Sequence, residues 1–412
     1  MTDDRTRPDS AGASCSDSGG ELPVVIATIF RTNDGTGIHT HIQQLCDYLA
    51  EREVIATVIT PVSGSRMLAY LIFAPRLVLQ FISKPASVVW YRYWHERFLR
   101  YALRRCLSRL DDCVVYAQGP IEAHAALRAR RGEHQRVIMA VHFRASQADE
   151  YAEPGRELRP DGAVFRGIKN FERTVIPQVD GMVYVSQWAR SALLSWLPEV
   201  SEVPSAVIGN FVKGISYKGD QARRADLVST GKLELRKNHS FVLQVLAEAS
   251  RAGRRYTLDI FGEGPERGEL LKQARALNLE EQVQFCGFRS DVRSALPGYR
   301  AYVHAASAET SSLAIIEAMA AGLPIVAANI GPIGELCDEG AEARFWSLDD
   351  PAEAARTLID LLDSETRCAE AAQAARARFS RDFDAEVIGP RLWSFLQGAK
   401  TAVVARGRTT RS

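Results

Sequence analysis

The sequence predicts an α/β protein built from two doubly wound parallel sheets, and three observations carry that prediction. Short β-branched runs alternate with helix-length amphipathic segments along the whole chain. The alternation restarts at Asp226, after a junction between Gly209 and Gly219. A chain of 412 residues with 46% hydrophobic content is too long for one core and suits two domains of ordinary size.

In the first half, Val24 to Phe30 reads as a buried strand, followed by a glycine turn and a helix through about Ala50. Val54 to Thr60, Val114 to Ala117, Val137 to Phe143 and Met182 to Ser186 read as further buried strands. In the second half the strands are expected at Leu227 to Thr230, Tyr256 to Phe261, Val283 to Cys286, Ala301 to His304 and Pro324 to Ala328. Helix-length segments such as His239 to Arg251 and Glu266 to Leu277 separate them. Two such units in tandem imply Rossmann-like domains facing across a cleft, with ligands beyond the carboxyl ends of the strands.

Composition excludes several classes of function. A formal charge of +1 gives no global pull toward nucleic acid or an acidic partner. Seven dispersed cysteines lack metal-ligand spacing and fit reduced thiols of a cytosolic protein. The first twenty residues, rich in Ser, Asp and Gly, read as a disordered tail without the apolar core of a signal peptide. No stretch reaches the roughly 18 apolar residues that a membrane span needs. The nearest approach, Met67 to Ile82, is broken by Pro75 and Arg76, so the expected location is cytoplasmic. Arg92 to Leu110 holds six arginines and a histidine among aromatic and apolar residues. Leu99, Leu103, Cys106 and Leu110 share one helical face, beside a stripe of Arg97, Arg100 and Arg104. With Met67 to Ile82 it makes residues 67–110 a candidate peripheral contact with an anionic cytoplasmic membrane face.

The most informative run is Ser307 to Pro324. Glu309 and Glu317, separated by seven residues, straddle the small hydroxyl residues Thr310, Ser311 and Ser312 that open an alanine-rich helix. Free N–H groups at a helix start form an anion site with the helix dipole. A carboxylate just before that site and another two turns along suit a diphosphate flanked by two sugars. Gly231-Lys232-Leu233-Glu234-Leu235-Arg236-Lys237 follows a strand, where cations neutralise a diphosphate leaving group in a partly dry cleft. Lys232 and Lys237 are the candidates; Arg236 is assigned to the solvated remainder of the cluster. Glycine turns occur at Asp34-Gly35-Thr36-Gly37 and at Phe261-Gly262-Glu263-Gly264, and His142 ends an apolar strand.

In this order and context the motifs resemble those of retaining glycosyltransferases with the GT-B fold, family 4 (glycosyl transferases group 1). The resemblance spans Val24 to Leu396 and is strongest from Gly231 to Glu335. It implies a tail at 1–20, an acceptor-binding domain at 21–208, a donor-binding domain at 209–382, and at 383–412 a helix, Phe383 to Leu396, that crosses back to the first domain, followed by a basic, mobile end at Lys400 to Ser412. It also implies that Glu309 contacts hydroxyls of the transferred sugar and Glu317 the ribose. The N–H groups around Ser311, Ser312 and Leu313, with Lys232 and Lys237, would stabilise the departing diphosphate, and His142 would support the sugar from the opposite domain. Gly37 would face donor phosphate and acceptor, Gly231, Gly262 and Gly264 would line the nucleotide site, and Phe285 to Phe288 would receive the base through backbone groups. The chain departs from the family pattern at Lys232, which replaces an arginine and loses its forked donor geometry, at Gly35-Thr36-Gly37, and at Pro332. Gly331 to Glu335 is expected to be supporting architecture.

The implied activity is retaining transfer from a nucleotide-sugar co-substrate to a glycan or lipid-linked acceptor, in cell-surface polysaccharide or glycolipid assembly. The expected chemistry is front-face, with no metal and no cofactor. The alternatives are a nucleotide-sugar epimerase of the same fold and a non-catalytic nucleotide-sugar-binding partner.

Overall fold

A computed structural model describes residues 21–30, 37–63, 74–153, 158–215 and 224–406. The expected tail at 1–20, Asp34-Gly35-Thr36, the first part of the Met67 to Ile82 segment, part of the inter-domain junction and the end past Arg406 lie outside these residues.

The first domain contains β1 (Val24–Ala27), β2 (Ala56–Ile59), β3 (Cys113–Ala117), β4 (Gln135–Val141), β5 (Gly181–Tyr184) and β6 (Ser205–Val207). They form one six-stranded sheet in the order β2-β1-β3-β4-β5-β6, every ladder parallel. The second domain contains β7 (Leu227–Thr230), β8 (Leu258–Phe261), β9 (Val283–Gly287), β10 (Ala301–His304), β11 (Ile325–Ala328) and β12 (Ala343–Trp346). Its sheet is also wholly parallel, in the order β12-β11-β10-β7-β8-β9. Both faces of each sheet are covered by helices, which is why the strands are continuous apolar runs: β3, β4, β5 and β10 are buried at every position.

Strand order decides where a ligand can bind. In the second sheet the direction of winding reverses between β7 and β10, and in the first between β1 and β3. At such a switch point the loops leaving adjacent strands diverge and open a crevice. The loop after β7 carries Gly231 to Lys237, and the loop after β10 carries Glu309 to Ser312. The topology therefore brings together two motifs more than seventy residues apart.

Three features differ from expectation. The edge strands β6 and β12 were not foreseen, because Ser205-Ala206-Val207 and Ala343-Arg344-Phe345-Trp346 lack a strong local β pattern. Each forms by pairing with an existing neighbour, Met182↔Ser205 and Ile325↔Ala343 being the first pairs. Strand ends are also shorter than the apolar runs, as at Ala27, where Thr28 to Phe30 leave the ladder. The last helix, Ala385–Arg406, extends well beyond Leu396 and through the start of the expected mobile tail. Its Ala385, Ile388, Leu392 and Leu396 pack with Leu45, Tyr48 and Leu49 of the first-domain helix Gly37–Ala50. Gln397 exchanges two hydrogen bonds with the Leu22 backbone, at 2.9 and 3.1 Å, so this helix is tied to the start of the first domain.

Candidate active site

A cleft of about 970 Å³ opens between the two sheets and is lined from both domains. On the second-domain wall, Glu309 is 6% exposed and lies among cations. Its Oε1 accepts from Lys237 Nζ, its Oε2 is 3.5 Å from Arg236 Nη1, and His304 Nε2 is 3.2 Å from Oε1. Burial alone would raise the Glu309 pKa, but Lys237, His304 and Arg236 together hold the carboxyl well below its ordinary range. Glu309 is thus a fixed anion. His304 is held below its ordinary value by burial, which outweighs the pull of Glu309, so it stays neutral.

The helix Leu313–Ala320 starts directly after this group. Its N-cap is Ser312, whose side chain makes no capping bond; Ser312 Oγ lies 3.5 Å from His304 Nε2 instead. The first N–H groups therefore keep their affinity for an anion supplied from the cleft. Glu317, one turn further, lines the same cleft beside Arg293; burial raises its pKa and Arg293 opposes the rise. Arg293 Nε and Nη2 are buried without a hydrogen-bond partner among the described residues. Lys232 stands exposed at the same opening, and Phe288 is 62% exposed beside it.

The glycines of this wall are required by close backbone approach. A Cβ on Gly262, at φ +147°, would sit 1.8 Å from the Gly231 carbonyl oxygen. One on Gly264 would lie 2.3 Å from the Leu233 oxygen. At Gly37 a Cβ would make only an ordinary contact, 3.7 Å from Leu313 Cδ1 across the cleft. That contact places the start of the helix Gly37–Ala50 against the start of the helix Leu313–Ala320.

On the first-domain wall burial dominates instead. Gln118 Nε2 donates to the Tyr116 carbonyl at 3.3 Å, so its Oε1 faces His142, which donates from Nε2 at 3.0 Å. Burial holds His142 well below its ordinary pKa, aided by His41, whose ring centre is 4.9 Å away. His41 itself is lowered to about 4 by burial, against the Asn210 amide, and its Nε2 is 3.2 Å from the Tyr116 hydroxyl. Glu150 also lines this wall; burial, with Glu153 beside it, raises its carboxyl to about 7 against the pull of Arg144 and Arg236. Arg144 forms an ion pair with Glu153.

Hydrogen bonds fasten the walls together. Thr310 Oγ1 donates to the His142 carbonyl at 3.0 Å, and Asn210 Nδ2 donates to Ser311 Oγ at 3.0 Å. Ser186 Oγ donates to the Thr310 carbonyl at 3.0 Å. Glu335 accepts from the N–H groups of Gln187 and Trp188, at 2.8 and 2.6 Å, and so caps a first-domain helix from the second domain.

The described candidate residues thus border one cleft, on two opposed walls, except Gly264, which packs against the Leu233 backbone behind the second-domain wall. Arg236 requires correction: it is not solvated, since it donates to the Ala308 carbonyl at 2.9 Å and pairs with Glu234 while flanking Glu309. His304, Asn210, His41, Glu150 and Arg293 were missed, and none sits in a local motif. Only the position of His304 at the end of an apolar strand, like that of His142, could have signalled it.

Two parallel Rossmann-like sheets whose switch-point crevices face one another define the GT-B fold. The chain belongs to the glycosyl transferases group 1, whose sequence model matches residues 218–378, while the Glycosyltransferase Family 4 model matches residues 35–213. A glycogen synthase from Mycobacterium tuberculosis is 26% identical over 284 residues, 67% of this chain and 66% of that protein. An alpha-monoglucosyldiacylglycerol synthase from Streptococcus pneumoniae is 26% identical over 207 residues, 46% of each chain. The crystal structure of Anabaena HepE in complex with UDP-glucose superposes with a TM-score of 0.67, at 17% identity, over 92% of this chain and all of that one. The chain spans a little under two thirds of the glycogen synthase relative's length.

Proposed function

We propose that this chain is a retaining glycosyltransferase that moves a sugar from a nucleotide-sugar donor to a glycan or lipid-linked acceptor. The observation that carries the reading is Glu309, an ionised, nearly inaccessible carboxylate held by Lys237 and His304 immediately before an uncapped helix start. The sugar hydroxyls meet the carboxylate, and the diphosphate meets the helix N–H groups with Lys232 and Lys237. Lys237 is shared between Glu309 and the phosphate, so a bound donor replaces part of its ion pair. Glu317 and Arg293 take the ribose end, and Phe288 lies where the base enters.

In the reaction, the acceptor oxygen forms its bond to the anomeric carbon on the face from which the phosphate departs. The C–O bond to phosphate breaks with its electron pair going to the diphosphate, and the acceptor proton passes to the leaving phosphate oxygen. Neutral His142 supports the sugar without competing for that proton. Lysines and helix N–H groups supply the positive charge, so turnover should be insensitive to EDTA. The acceptor enters along the first-domain wall. The S. pneumoniae relative, named for a glycolipid product, favours a lipid-linked acceptor in cell-surface assembly, and HepE, solved with UDP-glucose, makes UDP-sugars the first donors to test.

The test is nucleotide release from UDP-, GDP- and ADP-sugars, with and without a lipid extract from the source cell, followed by the anomeric configuration of the product. Acceptor-dependent release with retention supports the proposal. Inversion, isomerisation of the donor without transfer, or donor binding without turnover would overturn it.

A further inference from the structure

Ten large hydrophobic side chains are markedly exposed among the described residues, and six of them fall between Val78 and Tyr101. Val78, Phe81 and Ile82 are 61, 85 and 75% exposed and share one face of the helix Pro75–Ile82. Ser83 alone joins it to the helix Lys84–Leu107, on which Val89, Tyr93 and Tyr101 are exposed in line with exposed Arg97. The opposite face of that helix is spent on the core through Leu99, Leu103 and Leu107. Residues 75–107 carry seven Arg and Lys against one Glu, in a chain whose net charge is only +1.

We infer that this face docks the protein on an anionic lipid bilayer, with Phe81 and Ile82 entering the headgroup region and the exposed Lys84, Arg97, Arg104 and Arg105 pairing with lipid phosphates. An apolar ridge rimmed by one sign of charge fits that surface better than a protein partner, because both terms of interfacial binding are present side by side. No described helix is long and apolar enough to cross a membrane. The same helix reaches the cleft on its other face: Tyr91, turned away from Val89 and Tyr93, lines the cleft, and the Arg76 guanidinium lies 4.2 Å over its ring. Docking here holds the first domain, and with it one wall of the cleft, at the lipid surface. The inference rests on the lipid-linked reading of the acceptor for its purpose, but not for its physical test.

The test is co-sedimentation of the full chain with phosphatidylcholine vesicles, with and without phosphatidylglycerol. Wild type should bind only the anionic vesicles and be released as salt rises toward roughly 0.5 M. The double variant Phe81→Ser/Ile82→Ser should lose about tenfold in bound fraction, and Arg97→Glu a smaller part. Glu309→Gln, without transfer activity, should bind as wild type does, which separates docking from catalysis. Binding to neither vesicle, equal binding to both, or undiminished binding by the double variant would overturn the inference. So would a wild-type dimer in sedimentation velocity that the double variant converts to monomer.

Discussion

The two walls of the cleft solve opposite electrostatic problems. On the second-domain wall, Glu309 is kept ionised despite burial because Lys237 and Arg236 surround it and His304 donates to it. On the first-domain wall, burial prevails: His41 and His142 are held neutral and Glu150 is raised to about 7. Desolvation acts on both; the difference is whether an opposite charge lies within contact distance. Cations therefore cluster around Glu309 and the helix start, while on the other wall Arg144 is paired with Glu153.

The largest departure from this contrast should come from Glu309→Gln. Removing the fixed anion lowers acceptor-dependent nucleotide release by about a thousandfold, with the fold retained by circular dichroism. A variant that kept wild-type turnover would dissolve the distinction between the walls. Next in size is Glu335→Ala, which leaves the N–H groups of Gln187 and Trp188 without their partner across the domains. It should cost about 1–2 kcal/mol of inter-domain association, seen as a raised donor KM with a smaller change in kcat.

Glu150 sharpens the contrast through pH. Its raised carboxyl is protonated and able to donate below about 7 and loses that proton above it. Acceptor KM should rise from pH 6 to 8 in wild type and stay flat in Glu150→Gln. The smallest effect concerns stability. Burial raises buried Glu122 to about 7 from an ordinary 4.5, against hydrogen bonds that include the one from the Ile29 N–H. The folded state then holds a proton that the unfolded chain releases, so stability falls as pH rises from 4.5 to about 7 and is flat above. Glu122→Gln should reduce the drop in Tm between pH 5 and 8.

How legible the site was depends on how each residue reached it. Glu309, Lys237 and the glycine turns sit in contiguous motifs at strand ends, where local pattern and strand position already constrain their use. Arg236 looked like one more surface cation, and only the loop after β10 folding over it revealed its partners. Asn210 and Glu335 act across the domain boundary on residues 101 and 147–148 positions away, a separation no local pattern encodes. Strands β6 and β12 were hidden for the same reason, since pairing to a neighbour, not side-chain pattern, creates them.

The most direct test is calorimetric titration of nucleoside diphosphates into wild type, Lys237→Met and His142→Ala. The account predicts that one diphosphate binds wild type, that Lys237→Met weakens it by about 10- to 100-fold, and that His142→Ala leaves it within about threefold. Equal affinity for wild type and Lys237→Met, or a larger loss in His142→Ala, would contradict the assignment of the diphosphate to the charged wall.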